Sequence, residues 1–223
     1  MRKLADDLWQ IPGFPPNGIN VYVAGDVLVD AATKLGTRRI LRGLGDHTLA
    51  AHTLTHAHPD HQGASHAICT RLGLPLWCPA GDADAMEQGT VMAHQARHPV
   101  NRLIGALWCG PAHPVGRRLR EGDEVAGFTV LEVPGHSAGH VAYWREADRT
   151  LIAGDVLNSM NVRTGRPGLH EPEAIFTADI PRNREAIRRI ASLDPALVLF
   201  GHGPPWRDPA ALRTVAAHFS PRS

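Results

Sequence analysis

The stretch "TLTHAHPDHQGASH", Thr53 to His66, decides how this chain is read. His56, His58, Asp60 and His61 can each bind a metal, and they sit at offsets 0, 2, 4 and 5. Four ligands packed this tightly cannot all reach one ion. The stretch is therefore either part of a larger site or a His-rich loop in a chain with 14 His. The remaining sequence has to decide between them.

Working outward, several polar residues follow the ends of predicted strands. "LAAHTLTH" (Leu49 to His56) reads as a strand ending in the first His, and "FTVLEVPG" (Phe128 to Gly135) leads into His136 of "PGHSAGH". "TLIAGD" (Thr150 to Asp155) ends in a carboxylate, and "ALVLFGHG" (Ala196 to Gly203) carries His202. Loops at strand ends are where a rigid scaffold commonly mounts its chemistry. On that basis His56, His58 and His136 could form one trio, Asp60, His61 and His202 a second, and Asp155 could bridge them. Imidazole and carboxylate suit Zn²⁺ or Fe with no thiolate required. Two ions sharing a carboxylate would make a hydrolytic site of the two-metal type.

The rest of the chain reads as a mixed α/β protein. "INVYVAG" (Ile19 to Gly25) and "DVLVDAAT" (Asp26 to Thr33) flank a Gly-Asp turn and predict a hairpin. "HVAYWRE" (His140 to Glu146) and "PLWCPA" (Pro75 to Ala80) are further strands. Helices are predicted over 37–45, 63–73, 84–95, 100–108, 183–193 and 209–219. No repeat, low-complexity segment or linker interrupts the 223 residues, so residues 1–223 are expected to form one domain, with a substrate-pocket insertion at about 80–116.

Composition excludes other classes. With 23 basic and 22 acidic residues, and only "GRRLRE" (Gly116 to Glu121) as a short basic patch, no nucleic-acid partner is expected. No apolar run approaches the ~20 residues a membrane span needs. The opening "MRKLADDLWQIPG" places Asp6 and Asp7 where a signal core should lie, so the reading is cytoplasmic. Three Cys without CxxC spacing (Cys69, Cys78, Cys109) do not make a disulfide framework.

"THAHPDHQG", "PGHSAGH", "AGD" and "FGHG" resemble the ordered motifs of the metallo-β-lactamase superfamily, and "NGINVYVAGDVLVDAAT" resembles its N-terminal opening. The likeness spans about Ile11 to Trp206. It implies an αββα sandwich of two mixed sheets flanked by helices, and a dinuclear site on one edge in the glyoxalase II and lactonase manner. It assigns His56, His58 and His136 to one metal, Asp60, His61 and His202 to the other, and Asp155 to both. The ions are expected to be Zn, with Fe or Mn as alternatives. Asp30 matches an Asp that orients a ligand imidazole.

Within the superfamily, Asp155 stands where antibiotic-degrading members commonly carry Cys or Ser. Hydroxyacylglutathione hydrolase shares the ligand set but adds a helical extension, whereas 21 residues follow His202 here. Lactonases place a Tyr after the shared Asp, and this chain's Tyr22 and Tyr143 both precede it. The expected activity is hydrolysis of an ester, thioester or lactone of a small, partly apolar substrate. In that scheme a metal-bridging hydroxide attacks the carbonyl and Asp60 moves the proton. The alternatives are a mononuclear iron enzyme like the persulfide dioxygenases, a phosphodiesterase, and a non-catalytic metal-binding protein.

Specificity is expected from two stretches. In 80–116, Met92, Leu103, Ile104, Leu107 and Trp108 offer an apolar lining, or else packing on the core or across a homodimer contact. In "NSMNVRTGRPGL" (Asn158 to Leu169), Asn158, Met160 and Arg163 lie close to the metals, with Arg166 a further cation. His94, His98, His113 and His170 are extra candidates for the site.

Overall fold

A computed structural model describes residues 1–92 and 99–219. Its first sheet places β1 (Arg2–Ala5), β2 (Leu8–Ile11), β3 (Val21–Ala24), β4 (Val27–Val29), β5 (Ala51–Thr53), β6 (Leu76–Pro79) and β7 (Arg117–Leu119) side by side in chain order. β1 to β4 pair antiparallel, β1–β2 and β3–β4 through two-residue turns and β2–β3 through residues 12–20, and β4 to β7 pair parallel. Parallel neighbours need crossovers. These are α1 (Thr37–Leu44), then α2 (Pro59–Gln62) with α3 (Ser65–Leu72), then α4 (Ala80–Gln88) with α5 (Pro99–Trp108).

The second sheet runs through β8 (Glu124–Val125), β9 (Phe128–Glu132), β10 (Val141–Arg145) and β11 (Thr150–Gly154), all antiparallel. β12 (Asn158–Met160) and β13 (Pro167–His170) then form a separate hairpin. α6 (Ile180–Ser192) returns the chain to β14 (Leu197–Phe200), parallel to β11 at the sheet edge, and α7 (Pro209–His218) follows.

Period-two alternation assembles the layers. Tyr22 and Ala24 of β3, Val141 and Tyr143 of β10, and Leu197 and Leu199 of β14 point into one cluster between the sheets. Their neighbours point outward. Val21, Val23 and Leu28 meet Ile40, Leu44 and Ile68 of α1 and α3. Ala142, Leu151, Val198 and Phe200 meet Ile187, Ile190 and Leu212 of α6 and α7. The result is the expected αββα sandwich. Each fully buried aliphatic or aromatic side chain contributes roughly 1.5–3 kcal/mol.

The differences from the sequence reading have local causes. β1, β2, β7 and β8 have two to four residues each. Such runs are too short for period two to show, and pairing with a neighbour defines them. The strand predicted over 49–56 is regular only at Ala51–Thr53, because the chain leaves the ladder to enter the loop that carries His56. The helix predicted over 84–95 starts at Ala80 and stops at Gln88, where Gly89 adopts φ 69° and donates its N–H to Ala85 O. Residues 93–95 of that prediction, including His94, and the separate candidate His98 lie outside the described residues. α6 begins before its predicted start, with Asp179 as N-cap accepting from Arg182 N–H. The specificity stretch after Asp155, for which no element is predicted, is the β12–β13 hairpin. Among the described residues, no helix is long and apolar enough to cross a membrane, and Cys69, Cys78 and Cys109 are free thiols.

One buried titratable group ties this frame together. His52 in β5 has no exposed surface; its ring nitrogens bond Leu28 O at 3.1 Å and Ser65 Oγ at 2.8 Å, joining β4 to α3. Burial lowers its pKa from 6.5 to about 4. The unfolded chain therefore binds this proton first as pH falls. The neutral form's contribution is complete above about pH 6.5 and is lost progressively toward pH 4, by roughly 3 kcal/mol. Denaturant titrations of the parent and His52→Gln should show the parent's stability advantage shrinking by about that amount between pH 7 and pH 4. An advantage independent of pH would contradict this reading.

Candidate metal centre

The seven predicted ligands converge at one edge of the sandwich. Local chemistry explains why each arrives there. His58 is the N-cap of α2, with extended backbone (φ −71°, ψ 156°), and Pro59 opens the helix, so Asp60 and His61 fall in a single turn. Asp155 and His202 follow the parallel pair β11 and β14. Gly201 is required between them: a Cβ there would lie 2.0 Å from Asp155 Oδ1 and 2.6 Å from His61 Cε1.

Two groups of potential ligand atoms result. In one, those of His56, His58 and His136 all lie within 4.8 Å of one another; in the other, those of Asp60, His61, Asp155 and His202 do. Asp155 Oδ2 links the groups, at 3.1 Å from His202 Nε2, 3.5 Å from His61 Nε2 and 3.7 Å from His136 Nε2. Asp60 Oδ2 is 3.2 Å from His202 Nε2. Six of the seven residues are buried, and Asp60 is half-buried at the pocket side.

Four imidazoles have Nδ1 engaged and Nε2 turned to the centre. The Asp30 carboxylate is the hub, at a positive φ of 61° that an Asp tolerates. Its Oδ1 accepts Thr55 N–H at 2.8 Å, and its Oδ2 accepts Thr55 Oγ1 at 2.9 Å and His61 Nδ1 at 2.8 Å. The Thr55 hydroxyl, having donated to Asp30, is left to accept from His56 Nδ1 at 3.1 Å. Thr177 Oγ1 donates to Glu173 O and so accepts from His136 Nδ1 at 3.4 Å. His202 Nδ1 donates to Gly18 O at 2.5 Å. Fixing the proton on Nδ1 leaves the Nε2 lone pair for a ligand.

Electrostatics suits a cation. Burial, then the neighbouring imidazoles, lowers His56 well below the usual histidine range, so it is neutral, the form that ligates. Burial and His58 do the same at His136. At His61 and His202 burial is outweighed by the carboxylates of Asp30, Asp155 and Asp60, which raise both. Burial likewise opposes ionisation of Asp60 and Asp155, but His202 and His61 hold both carboxyls below their usual range. His56 Nε2, His61 Nε2, His136 Nε2 and Asp155 Oδ1 are buried without a hydrogen-bond partner. Of these, His56 Nε2, His136 Nε2 and Asp155 Oδ1 are unsatisfied acceptors gathered at one point, costly unless something electropositive meets them. The donor set of imidazole nitrogens and carboxylate oxygens therefore fits the divalent ions that the resemblance implies.

A cavity of about 450 Å³ opens onto this floor. Val100, Ile104 and Trp108, four residues apart on α5, line one wall; Ile19, Val162, Ile175 and Phe176 line the others. Asn101 Nδ2 donates to Ile175 O at 2.9 Å and holds two of these walls together. Of the predicted pocket residues, Trp108, Ile104, Asn158 and Arg163 lie on the lining, and Arg163 pairs with Glu173 at 2.7 Å.

Met92 and Met160 do not line the cavity. Met92 packs on the cluster around Leu54, Cys78 and Met86. Met160 follows an irregularity in the β12–β13 ladder, so alternation does not carry the facing of Asn158 on to it. Leu103 and Leu107 are exposed on the outer face of α5. His113 faces His66, Nδ1 to Nδ1 at 3.2 Å. His170 lies in β13, and neither it nor Arg166 is on the lining.

Several contributors were not singled out by the sequence reading. Asn20 donates to Phe200 O at 2.8 Å and Gly203 O at 2.7 Å, and Tyr22 Oη donates to Phe200 O at 2.7 Å, fixing the His202 loop across the two sheets. His140, the second His of "PGHSAGH", is fully buried; its Nε2 accepts Asp155 N–H at 3.2 Å, and burial lowers its pKa to about 3.

Comparison with known proteins agrees with this geometry. The chain is 29% identical over 156 residues to a hydroxyacylglutathione hydrolase of Bdellovibrio bacteriovorus, covering 68% of this chain and 48% of that protein. It is 29% identical over 197 residues to a probable metallo-hydrolase of Bacillus subtilis, covering 85% and 79%. The match thus spans about half the length of the hydroxyacylglutathione hydrolase. Among solved structures, a metallo-β-lactamase family protein of Thermus thermophilus superposes with a TM-score of 0.69 at 25% identity, over 97% of this chain and 80% of that one. A protein crystallised in a di-iron-bound form superposes with a TM-score of 0.65 at 28% identity, over 92% and 93%. The sequence model of one family matches residues 15–202, from the loop before β3 to the histidine after β14: the chain belongs to the metallo-β-lactamase superfamily.

Proposed function

We propose that this protein is a hydrolase that holds two divalent ions and cleaves an ester, thioester or lactone bond in a small substrate with an apolar portion. One observation carries the reading: Asp155 Oδ2 approaches imidazole nitrogens of both trios at the floor of an apolar cavity. His56, His58 and His136 would hold one ion, Asp60, His61 and His202 the other, and Asp155 both. The hydroxyacylglutathione hydrolase and metallo-hydrolase relatives support hydrolysis. The di-iron-bound neighbour makes iron a candidate beside zinc. When bound, such ions polarise a substrate oxygen and acidify water.

The chain's own residues supply the rest. Asp60, on the cavity lining and hydrogen-bonded to His202, carries the proton toward the leaving group. Asp30, through Thr55 and His61, keeps two ligand rings from rotating. Trp108, Ile104 and Phe176 seat the apolar portion and displace water from the reacting centre. Arg163 is already neutralised by Glu173, so among the described residues no free guanidinium on the lining meets a permanently anionic substrate. That favours carbonyl substrates over phosphodiesters.

Three outcomes follow. Asp60→Asn and His58→Ala should each lower kcat by at least about 10²-fold while the circular dichroism spectrum is unchanged; full activity in either variant would sink the scheme. A panel assayed on one preparation should show lactone, ester or thioester turnover exceeding that of a phosphodiester, and the reverse order would overturn the substrate class. Asp30→Asn, which removes the acceptor shared by His61 and Thr55, should weaken divalent-ion binding by about 10- to 100-fold in competition with a chelator. Unchanged affinity would remove Asp30 from this role.

A further inference from the structure

Asp82 is a buried carboxylate that none of the chemistry above uses. It sits in the first turn of α4, on a segment separate from every proposed ligand. Its Oδ2 accepts Ala57 N–H and Ser137 Oγ, both at 2.9 Å, and its Oδ1 accepts Gly139 N–H at 2.9 Å. Ala57 lies between His56 and His58, and Ser137 directly follows His136. One oxygen therefore grips both loops that supply the first trio.

The surroundings are shaped to this contact. A Cβ on Gly139 would lie 2.6 Å from Asp82 Oδ1 and 2.4 Å from Asp82 N, so the backbone approaches the carboxylate only because residue 139 has no side chain. The Asp30 network reaches Thr55, His56 and His61 but not His58 or the His136 loop. The described polar contacts thus divide. Asp30 braces the strand end and the second group, and Asp82 spans the gap inside the first.

We propose that Asp82 is the positioning residue of the His56–His58–His136 trio, setting the separation of His58 and His136 by holding Ala57 N–H and Ser137 Oγ on one carboxylate oxygen. The proposal rests on the reading that this trio holds a metal ion. Hydrogen bonds accepted by a carboxylate are among the stronger ones available to a loop, and losing an outer partner of a metal ligand typically costs 10- to 100-fold in affinity. Asp82→Asn preserves shape but leaves at least one of the three donors without its acceptor.

The test is Zn²⁺ titration of the full-length protein in two backgrounds. His61→Ala disables the second group and leaves the first as the binding site; His136→Ala does the reverse. Adding Asp82→Asn should weaken Zn²⁺ binding by about 10- to 100-fold in the His61→Ala background and by less than about twofold in the His136→Ala background. Equal weakening in both would mean that Asp82 merely stabilises the fold, and no weakening in either would mean that it does nothing for the trio. Both results overturn the proposal. Should Asp82→Asn fail to fold, Ser137→Ala, which removes a single bond to the same oxygen, must show the same background dependence at smaller size. A parent protein that takes up no Zn²⁺, Fe²⁺ or Mn²⁺ would instead sink the metal reading itself, and the assignment with it.

Discussion

The structure turns on the cost of gathering three imidazole nitrogens around one carboxylate oxygen away from water. Asp155 Oδ2 sits within 3.7 Å of Nε2 of His202, His61 and His136. Each buried polar atom left unsatisfied there costs on the order of 1–3 kcal/mol. A chain of this size has a net stability of roughly 5–15 kcal/mol, so the site takes a large share of it. The interleaved apolar layers of the sandwich, and a cation at the centre, are what such a cluster requires.

That cost explains where the surrounding polar groups lie. Backbone carbonyls, hydroxyls and an outer carboxylate are placed so that His56, His61, His136 and His202 are each held at Nδ1 with Nε2 turned to the centre. Asp30 takes a positive φ to reach Thr55 and His61 together. Gly201 removes the side chain that would push Asp155 aside. The two sheets are stitched where the site lies, by Asn20, just before β3, and Tyr22 of β3 reaching the Phe200 carbonyl of β14. The hydrogen bonds cluster around the converging imidazoles, whereas the cavity walls come from α5, the turn of the β12–β13 hairpin, the 3-10 turn at Ala174–Phe176 and Ile19.

Much of this was legible in the sequence, for a physical reason. Metal ligation uses few residue types, and strand ends present them in short clusters, so "THAHPDHQG", "PGHSAGH", "AGD" and "FGHG" exposed the seven converging side chains without a structure. Short apolar runs such as Val21–Ala24 and Leu197–Phe200 marked the mixed α/β class, and the resemblance of the motifs implied the sandwich. The outer braces were not legible. Thr55, Thr177 and Asp82 are ordinary residues whose roles depend on which loops meet, and no local pattern encodes a meeting between residues 57, 82 and 137. The pocket was half legible. Trp108 and Ile104 follow from helical spacing, but Ile175 and Phe176 come from a stretch with no period, and a ladder irregularity diverted Met160.

Whether the converging side chains form two cation sites sharing Asp155 is tested most directly by elemental analysis of protein purified without chelator. About two first-row transition-metal ions per chain are expected, in line with a two-metal hydrolytic centre. One ion per chain would contradict the shared-carboxylate arrangement, and none, even after dialysis against zinc, iron or manganese, would contradict the metal centre altogether.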